Sequence, residues 1–294
     1  MHQGILTAFK TILNIPFRSF ITSITMAQSK FEYTKQFESE RMCLPNCWIV
    51  IRIDGWNFTK FCDTHKFSKP NDLRALGLMN AAASAVMKEF KEIVLAFGQS
   101  DEYSFVFKKE TESFNRRETK LLTYVNSLFS SAYVFNWSKY FEDVPLQYPP
   151  AFDGRVVLYP SDKNIRDYLS WRQADVHINN LYNTCFWSLV QKQNKTTKEA
   201  QEILRGTLSA FKNELLFSTF GINYNNEPQI FRKGTTLIRK YVPDEGSKVK
   251  CIITPIYDDI IGDKFWEEHP EILESKKFKK INDKICKEKK KINQ

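Results

Sequence analysis

Three acidic residues, Asp54, Asp101 and Glu102, stand where apolar runs of this chain stop. Asp54 closes the run Cys47–Ile53 and is followed at once by Gly55, while Asp101 and Glu102 separate Ile93–Phe97 from Tyr103–Phe107. A buried strand that ends in a carboxylate sets a fixed negative charge at the rim of a sheet. Two such rims side by side can hold divalent cations against a nucleoside triphosphate. Hard Mg²⁺ takes carboxylate and carbonyl oxygens and keeps waters and substrate phosphates for the rest of its shell. Two ions about 3.5–4 Å apart can activate an attacking hydroxyl and stabilise a leaving oxygen. Asp54, the Gly55 carbonyl and Asp101 are candidate ligands; the plainer alternative is a set of solvated turn acids.

Other clusters compete for attention. Arg116, Arg117 and Lys120 follow the third strand and could take a triphosphate, Arg by bidentate contact and Lys as a point charge, or form a solvated basic face. Lys69 precedes a helix whose N-terminus favours anions. His177 and Asn180 lie one helical turn apart and could contact base, sugar or phosphate, or form a structural hydrogen-bonding pair. Cys43-x3-Cys47 with Cys62-x2-His65 has a zinc-like count, although Cys47 opens a stiff apolar run. Tyr103, Phe105 and Phe107 alternate like the stacking aromatics of an RNA-recognition strand, with Trp48 as a possible neighbour. Three acids beside such a platform would repel phosphate.

The elements that must carry these residues read as strand, helix, strand, strand, helix, strand. Leu76, Met79, Ala83, Val86, Met87 and Phe90 recur at helical spacing to about Glu92, with Asn71 or Asp72 as cap. Gly98-Gln99-Ser100 makes a tight turn between two strands. A second helix is expected from about Phe114 to Tyr140, and Arg155–Tyr159 as a further strand. This is the split βαβ, ferredoxin-like order, with an antiparallel sheet, the first and third strands central, and both helices on one face. Asp54 and Asp101 should therefore meet. Beyond Pro160-Ser161 the chain reads as mostly helical. Residues 163–191 should set Ala174, Ile178, Leu181, Cys185 and Leu189 inward and leave His177, Asn180 and Thr184 on another side. One helix is expected from about Thr197 to Phe217, and a hairpin with loops over 231–262.

The net charge of +9 is located at the ends: residues 275–294 carry nine Lys against two acids, and residues 1–25 carry Lys10 and Arg18 and no acid. The body between is neutral, so a phosphate or RNA site in it must be a local patch. Residues 1–25 have the composition of a mitochondrial presequence, and Met26 could serve as an internal start, so the expected residence is cytoplasmic, mitochondrial or both. The divisions expected are 1–25, a catalytic domain over 26–160, a helical part over 161–274 packed on it, and a disordered Lys-rich tail over 275–294. No stretch is apolar enough to span a membrane, and six Cys without framework spacing suit reduced thiols.

Several long motifs occur in order: Arg52-Ile53-Asp54-Gly55, Gly98-Gln99-Ser100-Asp101-Glu102-Tyr103-Ser104-Phe105, Phe152-Asp153-Gly154-Arg155, His177-Ile178-Asn179-Asn180-Leu181-Tyr182-Asn183-Thr184 and Lys212-Asn213-Glu214. Together they resemble the tRNA(His) guanylyltransferase family of eukaryotic type, from about Met26 to about Pro270. The resemblance implies an α+β fold with a polymerase-like palm and additional C-terminal helices. It implies an enzyme that uses ATP to adenylylate the tRNA 5′-phosphate and then joins GTP through its 3′-hydroxyl, expelling AMP. Two Mg²⁺ ions would sit on Asp54, the Gly55 carbonyl and Asp101, with Glu102 supporting catalysis. Nucleotide contacts would come from Asp54, Gly55, Trp56, Asn57, Phe58, Thr59, Ser100 and Asp101, with Lys69 serving activation and Arg117 and Lys120 the triphosphate. His177, Asn180 and Lys212 would assist tRNA(His), and the assembly would be a homotetramer. Two departures stand out. The family usually continues Arg-x-Phe-His after Asp-Gly, where this chain has Trp56-Asn57-Phe58-Thr59, and Phe211 stands where an Asp is usual. A noncatalytic RNA-binding or adaptor protein on the same scaffold is the alternative.

Overall fold

The computed structural model describes residues 29–243 and 249–274. The chain divides into an N-terminal unit ending at Glu40 and a second unit from Arg41 onward. The described part of the first contains a 3-10 turn, Glu32–Phe37, in which Lys35 pairs with Glu32 at 2.8 Å. The expected presequence and the Lys-rich tail lie outside the described residues.

The second unit is α+β. Strand β1 (Trp48–Gly55) leads through helix α1 (Phe58–Thr64) into α2 (Leu73–Glu89), the hairpin β2 (Ile93–Gln99) and β3 (Glu102–Phe107), helix α3 (Glu118–Tyr140) and β4 (Phe152–Tyr159). The long α4 (Asp162–Gln193) follows, then α5 (Thr197–Leu204), α6 (Ser209–Glu214), α7 (Gln229–Lys233), the hairpin β5 (Thr235–Pro243) and β6 (Val249–Ile256), and α8 (Asp263–Glu268). Six strands form one antiparallel sheet in the order β4-β1-β3-β2-β5-β6. β1 and β3 are adjacent, as the element order required. Their register puts Asp54 opposite Glu102, and on its other side β1 puts Asp54 opposite Asp153 of β4.

Alternation along the strands builds two cores. Ile49, Ile51, Ile53, Tyr103, Phe105 and Phe107 face α2 and α3. Trp48, Val50, Leu95 and Val106 face the other way, against Ile165, Tyr168 and Leu169 of α4. Both faces are covered, so the aromatic strand is no open RNA platform: Tyr103, Phe105 and Phe107 are buried, and Trp48 donates its indole N–H to Asp162 at 2.9 Å. Aromatics alternating on a strand gain more from such burial than from exposure.

Local chemistry sets the helix ends. Asp72 caps α2, its carboxylate accepting from the Arg74 N–H at 2.9 Å, and Arg239 closes the other end on the carbonyls of Met87, Phe90 and Ile93. The second long helix starts later than expected, at Glu118, because Phe114, Asn115 and Arg116 have positive φ of 50°, 53° and 58°. The guanidinium of Arg116 gathers the carbonyls of Cys43, Leu44, Cys47, Lys109 and Thr111. It organises that loop and is withdrawn from the basic face expected of it. The expected 197–217 helix is broken, since Gly206 is left-handed (φ 69°) and α6 runs into a π turn at Leu215–Thr219. β5 and β6 do more than pair with each other. β5 pairs with β2, and the two strands extend the sheet across the expected boundary at 160/161. Among the described residues no helix is long and apolar enough to cross a membrane.

Candidate active site

The acidic rim is assembled by two backbone events. β1 ends at Gly55, whose N–H donates to the Asp101 carbonyl at 3.1 Å, tying the end of one strand to the turn before the other. A Cβ on Gly55 would come within 2.3 Å of the Phe58 ring and 2.9 Å of the Asp101 Cβ, so only glycine fits this approach. Asp101 is held protonatable up to about 6, first by burial and then by the charges of Asp54 and Glu102, with the Ser100 hydroxyl pulling the other way. Asp54 is also raised, by burial and by Asp153 across the strand pair, against Arg52 and Arg155. Two carboxylates that resist ionisation side by side are a poor arrangement for stability and a good one for a cation.

Glu102 is in a different position. Nη1 of Arg172 donates to its two oxygens at 3.2 and 3.0 Å, and Arg52 stands 3.9 Å away. Burial raises Glu102 and these two guanidinium groups oppose that shift. Among the described residues no group of three His, Cys, Asp or Glu side chains is arranged to hold a metal. The candidate donors are Asp54, Asp101 and the Gly55 carbonyl. It fits Mg²⁺, which needs few protein ligands when phosphates and waters complete its shell.

Beside Asp101 a cavity of about 420 Å³ opens between the start of α2, the β2–β3 turn and the second half of α4. Phe58, Thr59, Lys69, Ser100 and Asp101 line it. So do Trp187 and Phe186, and the Lys69 ammonium lies 5.5 Å from the Trp187 ring and 3.1 Å from the Asp63 carboxylate. Its size and mixed aromatic and amide wall suit a nucleotide-sized ligand.

Comparison with known proteins gives the family. The family model described as tRNAHis guanylyltransferase matches residues 31–160, and that of the Thg1 C terminal domain matches residues 163–294. A probable tRNA(His) guanylyltransferase of Drosophila melanogaster is 63% identical over 248 residues, covering 84% of this chain and 86% of the relative. The chain belongs to the tRNA(His) guanylyltransferase family. The crystal structure of the Saccharomyces cerevisiae tRNA(His) guanylyltransferase superposes with a TM-score of 0.69 at 48% identity, covering 76% of this chain and 96% of that one. A bacterial Thg1-like protein in complex with ATP shares the fold, with a TM-score of 0.65 at 19% identity over 83% of this chain and 99% of its own.

Against the family's nucleotidyltransferase chemistry, the remaining residues fall into three places. Trp56, after Gly55, is 70% exposed, and its N–H donates to the Ala151 carbonyl at 2.9 Å. Asn57 takes a left-handed conformation (φ 52°) at the start of α1 and, like Trp56, is not on the cavity wall. Arg117 bridges Met42 and donates to the Phe114 carbonyl, and the Phe114 ring packs 6.0 Å from Phe90. That is where β2 begins and β3 ends, the opposite end of the sheet from Asp101. Lys120 lies in the first turn of the same helix.

The tRNA candidates also separate. His177 is exposed, its ring 5.5 Å from that of Tyr224, and partial burial and Arg232 lower its pKa. Asn180 and Thr184, expected on the same free side, are buried instead: Asn180 donates to the Tyr224 hydroxyl at 2.9 Å and Thr184 to the Asn180 carbonyl at 2.7 Å. Ile178, expected inside, is 59% exposed. Leu181, Cys185 and Leu189 are buried as expected, and the buried stripe widens toward Asn180 and Thr184 because α5, Leu216 and Tyr224 cover that side of the helix. Lys212 is buried and donates to the Thr207 carbonyl at 2.7 Å.

The zinc count does not become a site. His65 uses both ring nitrogens, one on the Phe61 carbonyl at 2.8 Å and one accepting the Gln147 N–H at 2.9 Å. Reading the residues in isolation missed Asp153 and Arg172. Asp153 sits in a quoted motif and is a register neighbour of Asp54; Arg172 lies on a polar helix stripe with no local mark of its partner, 70 residues away.

Proposed function

We propose that the protein is an Mg²⁺-dependent nucleotidyltransferase that adds a guanylate to the 5′ end of tRNA(His), on a polymerase-like palm. The observation that carries this reading is the meeting of Asp54 and Asp101, both raised by burial and Asp101 further by the Asp54 charge, beside a nucleotide-sized cavity. Its family membership supplies the reaction class. ATP and GTP are the expected substrates; a distant relative of the same fold is known in complex with each.

Asp54, Asp101 and the Gly55 carbonyl would hold the metal. When bound, Mg²⁺ supplies charge stabilisation at the reacting phosphate and lowers the pKa of the attacking hydroxyl. Overall, the tRNA 5′-phosphate displaces pyrophosphate from ATP, the GTP 3′-hydroxyl then displaces AMP from that activated end, and loss of pyrophosphate from the new 5′-triphosphate leaves the added guanylate. Positioning dominates phosphoryl and nucleotidyl transfer. Lys69 places a positive charge at the cavity mouth for the nucleotide phosphates. Arg172 holds Glu102, and so the first residue of β3, in place next to Asp101. Trp56 offers an exposed indole face at the rim, on which a base can stack. Arg117 and Lys120 would meet a triphosphate only at an interface with another copy, consistent with a homotetramer. His177 is the accessible tRNA candidate; Lys212 and Asn180 act through the packing of the segment beneath it.

The test is incubation of 5′-monophosphorylated tRNA(His) with ATP, labelled GTP and Mg²⁺. Label is expected at the 5′ end with the wild type and not with Asp101→Ala. Equal, background labelling by both would sink the enzymatic reading and favour a noncatalytic RNA-binding role.

A further inference from the structure

The cavity beside Asp101 accounts for one reactant, and a second feature lies across the rim from it. Met79 and Tyr103 of the cavity wall belong to the core that faces α2 and α3. Behind the sheet, Tyr168 of the other core hydrogen-bonds the Ser104 hydroxyl at 2.6 Å, and its ring lies 6.2 Å from that of Trp171. Trp171 is 56% exposed. Exposure of an indole does not make a site; what distinguishes Trp171 is how it is held. Adjacent residues on a helix normally point apart, yet the Arg172 guanidinium lies over the Trp171 ring, 3.5 Å from its centroid. The same guanidinium bonds Glu102 at 3.0 Å and stands 3.6 Å from Asp175, and Arg172 is itself nearly covered. One face of the indole is therefore sealed by a cation locked to the residue after Asp101, and the other face is open to solvent.

We propose that the open face of Trp171 stacks an unpaired base of the tRNA acceptor end and so presents the RNA 5′-phosphate to Asp54 and Asp101. The inference rests on the nucleotidyl-transfer reading and adds where the RNA end lies. That reaction must bring a nucleotide and an RNA end to the same carboxylates. The nucleotide-sized cavity takes up one side of the rim, with Lys69 as the single Lys or Arg among its described lining residues, so the RNA approaches from the other. The Trp171 side carries the cations that a phosphate backbone needs. Arg52 and Arg155 are register partners on β1 and β4, each two residues from Asp54 or Asp153 and on the same sheet face, and the Arg155 side chain is half-exposed. Unpaired RNA bases stack on aromatic rings in this way. A ring already backed by a guanidinium has little side-chain freedom left to lose when a base arrives.

The experiment measures Kd of the full chain for labelled 5′-monophosphorylated tRNA(His), intact or with its unpaired 3′-terminal nucleotides removed, and for labelled GTP. Trp171→Leu keeps bulk beside Arg172 but has no aromatic face. It is expected to raise Kd for intact tRNA about tenfold, to change Kd for the trimmed RNA by less than about twofold, and to leave GTP binding level. Trp171→Phe should bind intact tRNA within about threefold of wild type. Wild type should itself bind intact tRNA at least about tenfold more tightly than trimmed RNA, a comparison that needs no variant. Equal effects of Trp171→Leu on the two RNAs, or no effect on the intact one, overturn the inference. So does a matching loss of GTP binding, which would place the role of the ring in the rim and not on the RNA. Equal wild-type Kd for the two RNAs overturns it as well. A wild type that binds no tRNA(His) overturns the nucleotidyl-transfer reading itself.

Discussion

Arg172, in the first half of α4, donates from Nη1 to both carboxylate oxygens of Glu102, at 3.2 and 3.0 Å. The same helix starts behind the sheet, where Asp162 takes the Trp48 indole, and ends in front of it, where Gln191 donates to the Lys69 carbonyl at 3.4 Å. The ion pair thus pins a helix shared by the back core and the cavity to the acidic rim. Removing the arginine leaves a largely covered carboxylate without its counter-charge. Arg172→Ala is expected to destabilise by about 2–4 kcal/mol. Urea unfolding should give a lower midpoint at unchanged slope, and a midpoint equal to wild type would contradict the pinning role.

Asp101 carries a pH signature. Its folded pKa of about 6 lies above its ordinary 3.8, so the folded protein binds this proton more tightly than the unfolded chain does. Its contribution therefore becomes unfavourable as pH rises between 3.8 and about 6, and stays so above. Asp101→Asn should be more stable than wild type at pH 7 by up to about 3 kcal/mol, with the gap closing below pH 4. Guanylate transfer by the same variant should fall by at least about 100-fold. Urea titrations at the two pH values separate these effects.

Gly55→Ala probes the close approach of β1 to the Asp101 turn. The added methyl would stand 2.3 Å from the Phe58 ring and 2.9 Å from the Asp101 Cβ, and both are held by packing. A loss of about 1–3 kcal/mol is expected from overpacking, together with loss of guanylate transfer. Retained activity would show that the rim tolerates a wider separation.

Lys69 has an exposed partner, Asp63, whose side chain is 62% accessible. Lys69→Ala should leave stability within about 0.5 kcal/mol. Its effect should fall on activation: transfer to 5′-monophosphorylated tRNA should drop more than transfer to 5′-triphosphorylated tRNA, which already carries a leaving group. Equal losses on the two substrates would remove Lys69 from that step.

The central strands were readable because each is an apolar run stopped by a charge or a turn, and strand order then followed from the alternation of elements. That is why the meeting of Asp54 with Asp101 could be anticipated. Other features were hidden for specific reasons. Helix α1 has seven residues, too few to show a period, although Phe58 and Phe61 form its buried side. Asn180 looked like an exposed polar residue because its partner, Tyr224, is 44 positions away. Arg116 looked like part of a phosphate-binding face, whereas positive φ at residues 114–116 turns it back onto five loop carbonyls.

By themselves the residues determined the α+β alternation, the neutral body, the rim carboxylates and the motifs that place the chain in its family. These are properties of local order: period, turn chemistry and the identity of a residue next to a glycine. Tertiary structure alone decided which charges remain available. It gave Glu102 to Arg172 and Lys212 to Thr207, set Arg117 at the far end of the sheet, and laid the Arg172 guanidinium over the Trp171 ring. Hydrogen bonding and charge pairing depend on which atoms come within about 3 Å after folding, and spacing along the chain does not carry that information across 70 residues.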